Sequence, residues 1–179
     1  YIDGKDLFTI VTDHGAEGLD EMLVLTWSMQ ICDILCYLHS RTPPVLHRDI
    51  NPANIILRNK DSRLFLVDFG LARTISDTGV KTSVGTGAYT SMEQFSGRPE
   101  PRSDIYSLGA TMHFLLTAQE SEAFRFVPVR KIRPDVSEFT EYVVQKALNF
   151  LPEHRFSSAD EMYLVLKGKM PESANSTCE

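Results

Sequence analysis

Residues 103–117 place Ile105, Leu108, Met112, Leu115 and Leu116 on most sides of a helical wheel. A helix that is apolar nearly all round lies inside a core rather than on its surface. This segment therefore predicts a buried helix, with Ser103 or its neighbour as cap. A second long helix is predicted over 20–39, where Leu23, Trp27, Ile31, Ile34, Leu35 and Leu38 recur at three- and four-residue spacings. Asp20 and Glu21 suit its positive end, and Pro43-Pro44 closes the region. Residues 138–151 and 157–167 read as two further helices, the second opened by Ser157-Ser158-Ala159-Asp160.

Only the middle of the chain reads as strand. Val45-Leu46, Ile55-Ile56-Leu57 and Leu64-Phe65-Leu66-Val67 are short apolar runs, with a turn at Asn59-Lys60-Asp61-Ser62. Residues 71–90, rich in Thr, Ser and Gly, read as a long mobile loop, and such loops are usually functional. Phe124 to Pro134 reads as an irregular segment, and 168–179 as a polar tail or linker. Residues 1–11 begin in mid-pattern with no cap or leader, as expected of a piece of a longer product. The fold class is mainly α (α+β overall), in one domain with no internal repeat.

Composition narrows the function classes. Apolar residues make up 42% and charged residues 23% of the 179, as in ordinary globular domains and unlike disordered chains. No uninterrupted run of about 18 apolar residues encodes a membrane span. A net charge of −6 without a basic patch argues against nucleic-acid binding. The charge is concentrated at the front: residues 1–40 hold seven acids and one base, and the rest is balanced. Such a front suits basic substrates, and a solvated helix face is the more ordinary reading. Cys32, Cys36 and Cys178 make neither a disulfide framework nor a zinc site. Cys32 and Cys36 share a helix face and predict core packing in a reducing, cytoplasmic compartment.

The chemistry-bearing residues lie at the ends of the short strands. His47-Arg48-Asp49 precedes Ile50-Asn51-Pro52-Ala53-Asn54, and Asp68-Phe69-Gly70 follows nineteen residues after Asp49. Two carboxylates and an amide on strand-end loops are suited to hard cations, magnesium in particular. With H-R-D-I-N-P-A-N at 47–54, D-F-G at 68–70 and S-M-E at 91–93, the chain resembles the protein kinase superfamily. Asp104 in S-D-I-Y-S-L-G resembles the buried Asp that braces the catalytic loop in that family. Arg155 in L-P-E-H-R resembles the late Arg that pairs with Glu93. The wording of 84–117 and 124–162 is most similar to bacterial, Hanks-like serine/threonine kinases.

The resemblance implies a kinase C-terminal lobe over 1–167, a helical bundle whose few strands carry the catalytic and metal-binding loops. The hinge falls near residues 1–7. The N-lobe, with its Gly-rich loop, strand Lys and helix Glu, is missing from the sequence. The implied activity is transfer of the γ-phosphate of Mg-ATP to Ser/Thr hydroxyls of protein substrates. The isolated lobe is expected to be poorly active, and a membrane anchor beyond Glu179 is left open.

In this reading Asp49 is the catalytic base, and Asn54 and Asp68 hold Mg2+. Ile2 presents backbone groups to adenine, Leu7 and Ile56 pack against its ring, and Asp6 reaches the ribose or a basic substrate residue. His47, Phe69 and Gly70 complete the two motifs. Arg48 pairs with a phosphorylated loop residue, Thr82 or Ser83 first, with Thr74, Ser76 and Thr78 as alternatives. Pro52, and Thr86 as a contact to the catalytic Asp, favour serine/threonine over tyrosine specificity. Two residues depart from the pattern. Met92 stands where Pro is usual. Asn51 stands where the family carries a Lys that donates charge to the transferring phosphoryl group, a loss of about 10²–10³ in rate by analogy with removal of one preorganised donor. Asn51 thus keeps open a pseudokinase or scaffold without phosphotransfer, and a small-molecule phosphotransferase is a third reading.

Overall fold

The computed structural model describes residues 2–68, 73–74 and 87–169. It is mostly helical, with a small three-stranded antiparallel sheet. Strand β1 (Gly4–Asp6) runs straight into helix α1 (Leu7–His14). Asp6 is the hinge between them: its carboxylate accepts from Thr9 N at 2.7 Å and from Thr9 Oγ1 at 2.8 Å. The mid-pattern reading of residues 1–11 missed this helix. Thr9, Ile10, Val11 and Thr12 form a β-branched run, which is poor helix material on propensity. The Asp6 cap and the burial of Leu7 and Val11 override it.

Helix α2 (Glu21–His39) is capped by Asp20, which accepts from Leu23 N at 3.0 Å. Its buried side chains are Val24, Leu25, Trp27, Ser28, Ile31, Cys32 and Leu35, while Leu23, expected on the apolar stripe, is exposed. Cys32 lies in the core and Cys36 packs against it, as expected. By length and apolar content α2 is sufficient to cross a bilayer, which a count of uninterrupted apolar residues does not reveal. Here it is a core helix, packed on α4 (Pro101–Thr117) and α7 (Ala159–Lys167).

Strands β2 (Val45–Leu46), β3 (Ile55–Arg58) and β4 (Leu64–Leu66) fall where the sequence puts them. The sheet order is β1-β3-β4, with Asp6 opposite Ile56 and Ile55 opposite Leu66. β2 pairs instead with β5 (Arg73–Thr74), part of the stretch expected as loop. One-turn helices α3 (Met92–Phe95) and α5 (Val129–Ile132) interrupt the remaining irregular segments.

Helix α4 is buried from Ser103 to Thr117, as its all-round apolarity predicts. It starts two residues earlier than expected, at Pro101, whose missing N–H suits the first helical position. Ser103 accepts from Glu100 N at 3.1 Å rather than standing at the cap itself. Gly109 lets α6 (Glu138–Ala147) approach closely, because a Cβ there would lie 2.7 Å from Ala147 Cβ. α6 stops four residues short of expectation. Pro152 disfavours helix at Leu151, and Arg155 takes the carbonyls of Asn149 (2.7 Å) and Phe150 (3.1 Å). Ser158 caps α7 by accepting from Glu161 N at 3.1 Å.

Candidate active site

The segment 47–54 links β2 to β3 and is held from below by α4. Asp104, 0% exposed, accepts from His47 N at 3.0 Å and Arg48 N at 2.9 Å. His39 Nε2, from the end of α2, donates to the same carboxylate at 2.9 Å. A buried carboxylate needs several donors to repay its lost hydration, and Asp104 has three. Gln94 adds a clamp from α3, donating through Nε2 to Arg48 O at 2.6 Å. His39 and Gln94 were not picked out from the sequence. Gln94 adjoins the S-M-E motif, and nothing local marks His39.

The second half of the segment orients Asp49. Asn51 Nδ2 donates to Asp49 Oδ1 at 3.1 Å and to Asp49 O at 3.2 Å. Asn54 Nδ2 donates to Asp49 Oδ2 at 2.7 Å and to Asp49 O at 2.9 Å. Asn51 Oδ1 caps the turn Pro52–Asn54 by accepting from Ala53 N (3.0 Å) and Asn54 N (3.2 Å). Both carboxylate oxygens of Asp49 are thus fixed by side-chain amides. Asn51, expected as a weakened donor to the phosphoryl group, is 5% exposed and turned inward. Its amide is spent on Asp49 and the turn, because the short side chain reaches both without leaving the loop.

The loop is stitched to β4, which ends just before Asp68. Val67 N donates to Asn54 O at 3.0 Å, and His47 Nε2 donates to Val67 O at 3.2 Å. These bonds and the Ile55–Leu66 pairing bring Asp49, Asn54 and Asp68 to one edge of the sheet. Arg48 (φ 69°) and Asp68 (φ 60°) are both left-handed, a costly conformation for non-glycine residues that clusters at functional sites. Asp49 is half-buried and Asp68 exposed. With Nδ2 of Asn54 committed to Asp49, its Oδ1 is the side-chain atom that could hold a cation. An amide oxygen and a carboxylate fit the hard-oxygen preference of magnesium.

The nucleotide-side assignments divide. Ile56 is half-buried opposite Asp6, and Ile2 is half-buried ahead of β1, beyond the Gly4–Arg58 pair. Asp6 is spent on the α1 cap. Leu7 is 0% exposed in the core and offers no surface to an adenine ring. Phe69, Gly70, Ser76, Thr78, Thr82, Ser83 and Thr86 lie outside the described residues, and Thr74 is described only as backbone in β5.

Glu93 and Arg155 meet as expected. Arg155 donates to Glu93 Oε1 at 2.6 Å and Oε2 at 3.0 Å, and to Arg102 O at 2.9 Å, beneath the Tyr106 ring. Burial opposes ionisation of Glu93, but hydrogen bonds from Arg155 and from Ser103 (2.6 Å) outweigh it and hold the carboxyl below its ordinary range.

Residues 1–162 match the protein kinase domain family. The chain is 33% identical to the serine/threonine-protein kinase PknA of Nostoc sp., over 93% of this chain and 31% of that protein. It is 36% identical to the serine/threonine-protein kinase C of Synechocystis sp., over 89% and 32%. It therefore spans about a third of the length of the curated relatives it matches. The crystal structure of the Mycobacterium tuberculosis PknI kinase domain superposes with a TM-score of 0.75 at 28% identity, covering 95% of this chain and 64% of that one. A strand-end Asp braced by a buried helix Asp, a following Asn and Asp with oxygen to offer, and a family match over nearly all its length together make this chain a member of the protein kinase domain family, related to bacterial serine/threonine protein kinases.

Proposed function

We propose that residues 1–167 form the larger, C-terminal lobe of a serine/threonine protein kinase, completed by a nucleotide-covering lobe encoded before Tyr1. The observation that carries this reading is the fixing of both Asp49 carboxylate oxygens by Asn51 and Asn54 on a loop anchored to Asp104. A base held this way is positioned rather than merely present, which is the main contribution a carboxylate makes to phosphoryl transfer. Asp49 accepts or orients the proton of a substrate Ser or Thr hydroxyl as its oxygen attacks the γ-phosphorus of ATP. Asn54 Oδ1 and the Asp68 carboxylate would hold Mg2+, which supplies neutralising charge to the phosphate oxygens when bound. Ile56 would pack on the adenine ring, and Ile2, ahead of β1, would present backbone groups to its edge. Protein substrates and a cytoplasmic location go with this reading.

The test is transfer of labelled γ-phosphate from Mg-ATP to a panel of Ser/Thr proteins by the complete protein. ATP binding without transfer to any of them at any magnesium level counts against it. The inward commitment of Asn51 favours one rival reading, a scaffold without phosphotransfer, since no side-chain cation stands at that position. If Asn51 instead orients a working base, Asn51→Ala lowers kcat about tenfold or more and costs about 1 kcal/mol of stability through the lost cap, with KM for ATP unchanged. A variant that alters KM alone speaks against the orienting role.

A further inference from the structure

We propose that Gln94 is a positioning residue for the candidate base: it locks the Arg48–Asp49 peptide plane and so sets the direction in which Asp49 presents its carboxylate. The proposal rests on the kinase reading above and adds to that site a residue from outside the catalytic segment.

A glutamine gives up much rotamer freedom on burial and needs partners for its amide, yet Gln94 is 0% exposed. It sits on the single turn of α3, which is closed by Phe95 N donating to Ser91 O and Ser96 N to Met92 O, both at 2.9 Å. Its neighbour Glu93 is pinned by Arg155 and by Ser103 of α4. Upstream, Tyr89 O accepts from Ser107 Oγ of the same helix at 2.7 Å. Gln94 therefore starts from a platform fastened to α4, and its Nε2 reaches Arg48 O at 2.6 Å.

The atom that Gln94 holds decides its role. Peptide units are planar, so the two planes that flank a residue set its orientation. Four successive planes in this loop have named partners. His47 N and Arg48 N, on planes 46–47 and 47–48, donate to Asp104. Arg48 O, on plane 48–49, accepts from Gln94. Asp49 O, on plane 49–50, accepts from Asn51 at 3.2 Å and Asn54 at 2.9 Å. Asn51 and Asn54 belong to the loop and turn with it, so they hold the carboxylate against the loop rather than against the core. Asp104 and Gln94 hold the loop from outside. Asp104 acts just before the left-handed Arg48 (φ 69°), and Gln94 just after it. That conformation is costly for a non-glycine residue. A flip of plane 48–49 would change φ of Asp49 and would involve neither plane bonded to Asp104. Gln94 opposes the flip, because the carbonyl it holds would swing away from Nε2.

The test uses the complete protein, Mg-ATP and a Ser/Thr peptide, with every variant assayed well below its own melting temperature. Gln94→Leu keeps the bulk and removes the donor. It is expected to lower kcat about tenfold with KM for ATP unchanged, since a misaimed base slows the chemical step. Gln94→Glu supplies a readout that a merely structural role would not move. Burial raises the pKa of the introduced carboxyl; below that pKa its O–H donates to Arg48 O, and above it the carboxylate repels that oxygen. The kcat of Gln94→Glu relative to wild type is therefore expected to rise about fivefold from about pH 8 to about pH 6, while the same ratio for Gln94→Leu stays flat. Wild-type kcat in Gln94→Leu, a pH-independent ratio in Gln94→Glu, or a change in KM for ATP alone overturns the positioning role. If the complete protein phosphorylates nothing, the kinase reading falls, and the lock is judged by amide hydrogen exchange. Exchange at 49–51 that speeds about tenfold in Gln94→Leu with α4 unchanged sustains it. Exchange that is unchanged, or that speeds equally in α4, overturns it.

Discussion

Asp49→Asn is expected to lower phosphoryl transfer by the complete protein about 10²–10⁴-fold, the range over which a positioned general base contributes. The surroundings of Asp49 add a second effect. Its two oxygens each receive an amide N–H, from Asn51 at 3.1 Å and from Asn54 at 2.7 Å. An Asn side chain offers one acceptor and one NH2 group. Whichever way it turns, one amide then faces another donor. The substitution is therefore expected to cost about 1–3 kcal/mol as well, the penalty for an unsatisfied buried donor. Steady-state kinetics combined with thermal melting separates the two effects. A scaffold that never transfers phosphate would show the melting shift and keep its partner binding. A variant with full activity would remove Asp49 from the mechanism.

Arg155→Ala is expected to be the most destabilising single change in the described chain. It removes both hydrogen bonds to Glu93 and those to the carbonyls of Arg102, Asn149 and Phe150. It also leaves the half-buried Glu93 carboxylate without its ion-pair partner. Breaking one side of a buried pair costs about 3–5 kcal/mol, which lowers Tm by about 10 °C for a domain of this size. Arg155→Lys keeps the charge but not the fork, and should fall between.

The pH dependence follows from the lowered pKa of Glu93. A carboxyl whose folded pKa lies below its unfolded value stabilises the fold at pH above that unfolded value. The contribution is lost as pH falls through the lowered folded pKa. Wild type should therefore lose more stability on acidification below about pH 4.5 than Arg155→Ala does. Denaturant titrations at several pH values check this, and parallel acid losses in the two proteins would show that Glu93 is not the group responsible.

Much of this was legible in the sequence, for identifiable reasons. The helices announced themselves where an apolar stripe or an all-round apolar surface was long enough to carry a period, as in α2 and α4. The Asp49, Asn54 and Asp68 set was legible through the resemblance of 47–54 and 68–70 to the kinase motifs, and the β3–β4 pairing brings Asn54 and Asp68 to the same end of the sheet. α1 was hidden because its β-branched residues oppose its cap. The end of α6 was hidden because it is set by a side chain further along the chain, Arg155, which bonds Asn149 O just past the last helical residue. The orientation of Asn51 had no sequence signal. It depends on which hydrogen bonds a short amide reaches in a turn, and the same residue type is compatible with facing outward. His39 was equally silent, since its partner Asp104 is sixty-five residues away.

The two bonds that the His47 and Arg48 amides donate to Asp104 govern how the site fails. Loops commonly open at little free-energy cost while the rest of a domain stays folded. Here the loop that carries the candidate base is fastened to the interior of α4, and α4 is covered along nearly its whole length. Freeing the loop leaves a buried anionic side chain with one of its three donors, His39. The site and the core are therefore expected to melt together, with loss of the catalytic segment's protection from hydrogen exchange coinciding with loss of α4's.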